Sequence, residues 1–307
     1  MLADTVRDLT EQEYELIRRL VYDQSGINLG EQKQQLVRAR LGKRLRSGRF
    51  PSFRAYYNHV KEDASGDELC ALLDAISTNT THLFRERQHF EFLAESLQDA
   101  LRDRAWRAAN NPLRVWSAGC SSGEEAHSIA MILDDVLREK GVTNLFAARD
   151  SRAGRARGEK VPDACFTLDW KILATDISTR VLERARAGVY ESHRLGTVPH
   201  SFRQRYFACG GDDQLEVRIS PALARRITFA RFNLTTDHFP FRHGFHYIFC
   251  RNVMIYFDRP TQQRLVAKFA AQLRPGGYLL IGHSESLNGI AHGLRYVRPT
   301  IYQGPFS

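Results

Sequence analysis

The chain has 307 residues, 43% of them hydrophobic and 26% charged, which fits a soluble globular protein with one large domain and one small one. No apolar run approaches the ~18 residues a membrane span needs, and the acids in MLADTVRDLTEQE exclude a secretory signal there, so the chain reads as cytoplasmic. A net charge of +9 points to acidic partners and leaves nucleic acid, anionic lipid and an acidic protein surface all open. The cysteines Cys70, Cys120, Cys165, Cys209 and Cys250 stand singly, without a C-x-x-C pair, so neither a zinc site nor a disulfide framework is expected. His238, His243 and His246 sit in a Phe-rich, turn-like stretch, and no metal is assigned to them.

The first quarter reads as four short helices. Thr10-x-x-Glu13 is a capping box, and Leu16, Ile17, Leu20 and Val21 then form an apolar stripe at helical spacing. A second helix is predicted over 31–46, with Leu36, Val37, Leu41 and Leu45 on its inner face, and a third from about Pro51-Ser52. Leu69, Leu72, Leu73 and Ile76 recur at i, i+3, i+4 and i+7 and predict a fourth. Residues 1–76 are therefore expected to form a small all-α N-terminal domain.

From about residue 112 strands alternate with helices. Strands are predicted at 113–118, 171–175, 227–232, 246–250 and 278–281, with 296–302 closing the chain. Helices at 124–138, 180–187 and 261–273 lie between several of them, and the alternation implies a mostly parallel sheet covered on both faces. Pro275-Gly276-Gly277 is expected to separate the last long helix from its strand. Two segments break the pattern. Residues 141–170 carry Arg149, Arg152, Arg155, Arg157 and Lys160 among Gly and Ala and are expected to form a mobile excursion. Residues 190–226 combine a short helix at 201–207, Gly210-Gly211 and an alternating strand at 215–219, which predicts a small antiparallel β attachment.

In an open parallel sheet, ligands bind beyond the carboxyl ends of the strands. Here the first strand runs into Ser117-Ala-Gly-Cys-Ser-Ser-Gly123-Glu124-Glu125, whose glycines and small side chains let a ligand approach the backbone. The next strand ends in Asp176, a carboxylate suited to the two hydroxyls of a ribose. The turn lacks the G-x-G-x-x-G spacing that sets helix amides against a pyrophosphate. Glu124 and Glu125 would repel a pyrophosphate and suit a cationic ligand, although a preference for the helix N-terminus accounts equally well for one of them. Asn233-Leu234, Arg251-Asn252 and Tyr256 follow other strand ends, and packing is an alternative role for Tyr256.

Six segments together resemble the chemotaxis receptor methyltransferases of the CheR family. They are Ser77-Thr-Asn-Thr-Thr-His-Leu-Phe-Arg-Glu-Arg-Gln-His-Phe90, Trp116-Ser-Ala-Gly-Cys-Ser-Ser-Gly-Glu-Glu125, Ala174-Thr-Asp-Ile-Ser178, Phe232-Asn-Leu234, Cys250-Arg-Asn-Val-Met-Ile-Tyr-Phe257 and Gly282-His-Ser-Glu285. The resemblance spans residues 10 to 302, and the first and fifth strings are highly specific. It implies a class I (Rossmann-like) α/β methyltransferase sheet over 91–307, with an inserted antiparallel β-subdomain at about 190–226. The all-α domain precedes it, and a linker at 77–90 folds over the cofactor. The cofactor implied is S-adenosylmethionine, with S-adenosylhomocysteine as product. Family cofactor contacts fall on Asn79, Thr81, Arg85, Glu125, Asp176, Asn233, Leu234, Arg251 and Asn252, and the family's proposed catalytic residues on Arg85 and Tyr256.

The acceptor implied is a glutamate carboxylate on the cytoplasmic methylation helices of chemoreceptors. With a reference pKa of about 4.3 it is ionised at neutral pH and needs no general base. Positioning should dominate, and orientation can supply roughly 7–11 kcal/mol. Arg85 is the candidate for holding the acceptor carboxylate, with Tyr256 fixing its second oxygen or the donor. Arg38, Arg40, Lys43, Arg44, Arg46 and Arg49 crowd twelve residues of the second helix. They read either as a solvated face or, as the resemblance favours, as a docking face for acidic helices. The resemblance implies that some family members grip a receptor C-terminal tail with a longer Gly-rich loop, and against that pattern the short Ala208-Cys-Gly-Gly-Asp-Asp-Gln214 leads to an expectation of tail-independent action. The insert 141–170 and Ala126-His127, where relatives often carry Pro-Tyr, depart from the family pattern. Nucleic acid is not the expected partner, because the turn after 246–250 reads R-N-V-M where amino-methylating DNA enzymes place N-P-P-Y or D-P-P-Y. Membrane insertion is not expected either. A non-catalytic cofactor-binding module is the other alternative, and a regulatory adaptor is left open.

Overall fold

A computed structural model describes residues 8–77, 79–108, 112–139, 168–209 and 215–305. Near its start, Thr10 and Glu13 close their capping box reciprocally. The Glu13 amide donates to Thr10 Oγ1 at 3.3 Å and the Thr10 amide to Glu13 Oε2 at 3.0 Å. This opens α1 (Glu11–Ser25), which ends at Gly26 in the left-handed region, φ +72°. A 3-10 turn at Glu31–Lys33 leads into α2 (Gln34–Gly48), followed by α3 (Phe53–Glu62) and α4 (Asp67–Ile76). Ile17, Val21, Val37, Leu41, Leu45, Tyr56, Leu72 and Leu73 meet in one apolar cluster. Leu36 does not join them. It is 38% exposed and lines the cavity between the domains, because one residue of helix rotates it about 100° from Val37 and off the Val37–Leu41–Leu45 face.

The second domain begins with α5 (Gln88–Arg102), a helix the sequence reading omitted, and α6 (Arg104–Ala108). Then follow β1 (Leu113–Ala118), α7 (Glu124–Glu139), β2 (Trp170–Asp176) and α8 (Thr179–Ala187). The small attachment comprises β3 (Val189–Glu191), a 3-10 helix at Ser192–Thr197, α9 (His200–Tyr206), β4 (Phe207–Cys209), β5 (Glu216–Ile219) and α10 (Pro221–Ala224). The chain returns through β6 (Ile227–Arg231), β7 (Phe245–Cys250), α11 (Arg259–Gln272), β8 (Leu273–Ile281), β9 (Arg295–Arg298) and β10 (Ile301–Gln303).

Among the described residues the main sheet runs β6-β2-β1-β7-β8-β10-β9, parallel from β6 to β8 and antiparallel beyond. β3-β5-β4 form a separate antiparallel sheet. The expected α/β class and β-subdomain are present. The chain walks outward from β1 through β2 to β6, then restarts on the other side of β1 at β7. This reversal opens a crevice at the carboxyl ends of β1 and β7.

Two expectations fail at the far edge. Residues 296–302 form a hairpin rather than one strand, because Pro299 and Thr300, the latter at φ +62°, turn the chain back. Pro275-Gly276-Gly277 lies inside β8, as an irregularity between the pairs Phe245–Leu273 and Tyr247–Tyr278. Of the expected excursion at 141–170, residues 141–167 lie outside the described residues, as do 210–214 of the short loop at 208–214. No described helix is long and apolar enough to cross a membrane.

Candidate active site

One cavity of about 230 Å³ lies at the crevice, walled by both domains and the linker between them. After β1, Gly119 adopts φ +89°, and a Cβ there would sit 2.3 Å from Val253 Cγ2 in the turn after β7. The two strand-end turns therefore pack backbone to side chain, and only glycine permits it. Phe84, Glu86, Ser121 and Asn252 also hold left-handed φ values, 48° to 57°, without being glycine. Backbone strain of this kind costs roughly 1–3 kcal/mol per residue and concentrates where geometry serves a ligand.

All the residues singled out for the cofactor line this cavity: Asn79, Thr81 and Arg85 from the linker, Glu125 from α7, and Asp176, Asn233, Leu234, Arg251 and Asn252 from strand ends. Tyr256 joins them. Asp176 is nearly buried, and its two oxygens each accept one backbone N–H, from Ser121 at 2.9 Å and Ser178 at 3.0 Å. Burial raises its pKa, and those amide bonds oppose the rise. Each oxygen retains acceptor capacity for a hydroxyl.

The two glutamates part company. Glu124 turns away from the cavity, held by Ser122 Oγ at 2.7 Å and facing Arg194 of the β-subdomain at 3.0 Å. The helix-start alternative therefore describes Glu124. Glu125 faces the cavity, where Ser117 Oγ donates to it at 2.6 Å and Arg251 lies 3.2 Å away. Burial raises the Glu125 pKa, which Arg251 and Ser117 counter, so a second cation alongside would favour its ionised form.

Arg251 is a buried knot. Its guanidinium reaches Glu86 at 3.0 Å, Glu125, the Arg85 carbonyl and the face of Phe90, tying linker, α7 and β7 together. For Glu86, burial would raise the pKa, but Arg251 and the His283 amide hold it below its ordinary value. Among the described residues, the one set of His, Cys, Asp and Glu ligand atoms converging as metal ligands would is Glu86, His89 and His283. The guanidinium already on Glu86 opposes a cation there. His238, His243 and His246 do not converge; His246 is part of β7 and accepts the Arg114 amide at 3.1 Å.

Arg85 donates through Nη1 to the Thr80 carbonyl at 3.0 Å, which orients the rest of its guanidinium. Tyr256 sits under Lys33, whose ammonium lies 5.9 Å from the ring centroid. Residues 12–77 match the family model described as CheR methyltransferase, all-alpha domain, and residues 79–153 and 159–302 match CheR methyltransferase, SAM binding domain. The chain belongs to the CheR methyltransferase family. It is 37% identical over 296 residues to the chemotaxis protein methyltransferase of Borreliella burgdorferi, covering 96% of this chain and 95% of that one. Chemotaxis protein methyltransferase 2 of Pseudomonas aeruginosa is 36% identical, covering 95% and 93%, and the Escherichia coli K12 chemotaxis protein methyltransferase 35%, covering 96% and 91%.

This S-adenosylmethionine-dependent methyltransferase has a cavity whose donor set fits that cofactor. Glu125 suits an ammonium, Asp176 suits ribose hydroxyls, and the side-chain-free Gly119 turn admits a close backbone approach. The sequence reading missed Ser25, Ile27, Leu29, Lys33 and Leu36, which make the cavity partly a surface of the N-terminal domain. Leu36, expected on the inner face, stands about 100° off the Val37–Leu41–Leu45 face, and that off-face position is the available signal. Glu285, at the end of the Gly282-His-Ser-Glu285 string, is a further residue of the site's support. That carboxylate is 8% exposed and accepts the amides of Asn252 at 2.9 Å, Ile255 at 3.2 Å and Gly282 at 2.5 Å, so it pins the turn carrying Arg251 to Tyr256. His127, at the family departure, is buried and meets the Tyr190 hydroxyl at 2.6 Å, joining α7 to the β-subdomain. Burial alone pushes its pKa to about 3, keeping it neutral.

Proposed function

We propose that this methyltransferase esterifies glutamate carboxylates on the cytoplasmic methylation helices of chemoreceptors. The observation that carries this reading is the meeting of Arg85 and Tyr256 in the same cavity as Glu125 and Asp176. When bound, S-adenosylmethionine supplies a sulfonium methyl, whose C–S bond breaks as a carboxylate C–O bond forms, leaving S-adenosylhomocysteine and a methyl ester. The protein's own task is placement. Asp176 takes the ribose hydroxyls and Glu125 the ammonium, while Asn79, Thr81, Asn233, Leu234, Arg251 and Asn252 complete the cofactor enclosure. Arg85, anchored on Thr80, directs its remaining N–H groups at the acceptor carboxylate. Tyr256 orients the second oxygen or the donor. An acceptor ionised at neutral pH asks for no base.

The docking face is narrower than six cations. Arg40 turns inward onto the carbonyls of Ile76 and Ser77, and Arg44 makes a two-pronged pair with Glu68 at 2.8 and 2.6 Å. Arg38 is exposed beside Asp8, and Lys43, Arg46 and Arg49 are exposed as well. Lys33 and Leu36 at the start of α2 line the cavity, and Arg46 lies thirteen residues on from Lys33, about 20 Å along the helix. An acidic receptor helix laid along α2 thus spans from the site to the basic face. The test is labelled donor with receptor-bearing membranes, DNA and RNA in parallel. Base-labile methyl esters on receptor glutamates support the reading, and label on nucleic acid alone refutes it.

A further inference from the structure

The short connector between α1 and α2 crosses the mouth of the cavity and touches both of its flanks. At one end the Asn233 side-chain amide donates to the Gln24 carbonyl at 2.8 Å. At the other, the Asn28 amide donates to the Tyr256 carbonyl at 2.8 Å. Asn233 follows β6 and Tyr256 follows β7, strands separated in the sheet by β2 and β1. One stretch of the N-terminal domain therefore bridges two loops that the sheet itself does not join. Between the anchors, Ser25 and Ile27 face the cavity, and Gly26 seats directly on the catalytic domain. A Cβ on Gly26 would lie 2.5 Å from Thr235 Cγ2. Thr235 in turn donates to Asn233 Oδ1 through its amide at 3.0 Å and its hydroxyl at 2.8 Å. Tyr22 adds a bond to Asp258 at 2.7 Å beside the Tyr256 anchor.

We infer that residues 24–28 are a positioning element of the cofactor site: by pinning Asn233 and Tyr256 from outside the catalytic domain, they make cofactor affinity depend on how the N-terminal domain is seated. This rests on the cofactor site assigned above. Asn233 shows why the dependence is direct. One N–H of its amide is held by Gln24 and its oxygen by Thr235, so the orientation of the side chain, and of the second N–H it can offer a ligand, is set by these bonds. Moving the connector moves the Asn233-Leu234 backbone. By reciprocity, an acceptor helix docked on α2 and the cofactor in the cavity influence each other's binding by the same factor.

Gly26 and Gly66 provide a matched pair. Both adopt the same left-handed backbone, φ 72° ψ −1° and φ 73° ψ 5°, but nothing lies within 4 Å of a Cβ at Gly66. Alanine costs the same local strain at either position, and only at Gly26 does it push on the catalytic domain. Full-length wild type, G26A, G66A and G26A/T235S are titrated with S-adenosylhomocysteine by calorimetry, with thermal unfolding measured alongside. Thr235→Ser deletes the clashing methyl and keeps the hydroxyl bonded to Asn233. G26A should weaken binding about tenfold, a size typical of coupling between contacting residues. G66A should bind within twofold of wild type, and the double variant should recover most of the loss. Tyr22→Phe, which removes the supporting bond to Asp258 without a clash and leaves both anchors in place, keeps the test open if G26A fails to fold; by loosening the seat of the connector it should weaken binding two- to threefold at unchanged melting temperature. If G26A, or Tyr22→Phe in its place, lowers stability but binds product as G66A does, the connector is only an interdomain fastening and the inference falls. A wild type that does not bind the product at all refutes the cofactor assignment first.

Discussion

Replacing Glu285 with glutamine removes one negative charge and one acceptor oxygen from beneath the Arg251–Tyr256 turn while leaving the shape unchanged. In the wild type, Oε2 accepts the amides of Gly282 and Asn252, and Oε1 accepts that of Ile255. Glutamine offers one carbonyl oxygen. In its better orientation it keeps the first two bonds, now neutral, and points an NH₂ at the Ile255 amide. Turning a charged bond neutral costs about 1 kcal/mol, and an orphaned buried donor about 1–3 kcal/mol. Burial has already raised the Glu285 pKa, so relieving the buried charge returns part of that sum. The net expectation is a loss of about 2–4 kcal/mol. It should fall on the turn holding Arg251, Asn252 and Tyr256, so turnover should drop at least ~10-fold, as it does when catalytic groups lose orientation. Urea unfolding followed by tryptophan fluorescence and a labelled-methyl transfer assay measure the two effects. A variant within about 0.5 kcal/mol of wild type that turns over at more than half its rate would refute the argument that this carboxylate sets the turn.

Arg85→Ala is expected to keep most of the product affinity seen by calorimetry and to lose about 100-fold in turnover, the scale of a misplaced reactant; near-normal turnover would remove Arg85 from the mechanism. Glu86→Gln tests the Arg251 knot through pH. Because the folded carboxyl is held below its ordinary value of about 4.5, its stabilisation is present above that pH and disappears as pH falls through the folded value. The stability gap between wild type and variant should therefore narrow in acid, and a gap unchanged from pH 7 to 4 contradicts the pairing. Charge reversal at Lys43, Arg46 and Arg49 together should weaken receptor association at least ~10-fold at low salt and little at high salt, where screening already applies. Equal loss at both salt concentrations would mean that the face does not act by charge.

The periodic parts of this protein were legible in its sequence. Capping at Thr10, the stripes of α1, α2 and α4, and the apolar strands ending in Gly119, Asp176 and Cys250 are local signals, because side-chain spacing and backbone period are properties of neighbouring residues. The strings carrying Asn79, Arg85, Asp176, Arg251 and Tyr256 pointed to a family without any coordinates. Local signals cannot say which of two adjacent glutamates faces a cavity. That was decided by the rotation of α7, which put Glu125 beside Arg251 and Glu124 beside Arg194. Nor could they show that Arg40 and Arg44 are spent inside their own domain while Lys43 and Arg46 face solvent, since all four have the same chemistry until α4 packs against α2. The role of Glu285 and the reach of residues 24–28 across the cavity depend on contacts between segments from 30 to more than 200 residues apart. Only tertiary folding brings such partners within hydrogen-bond distance.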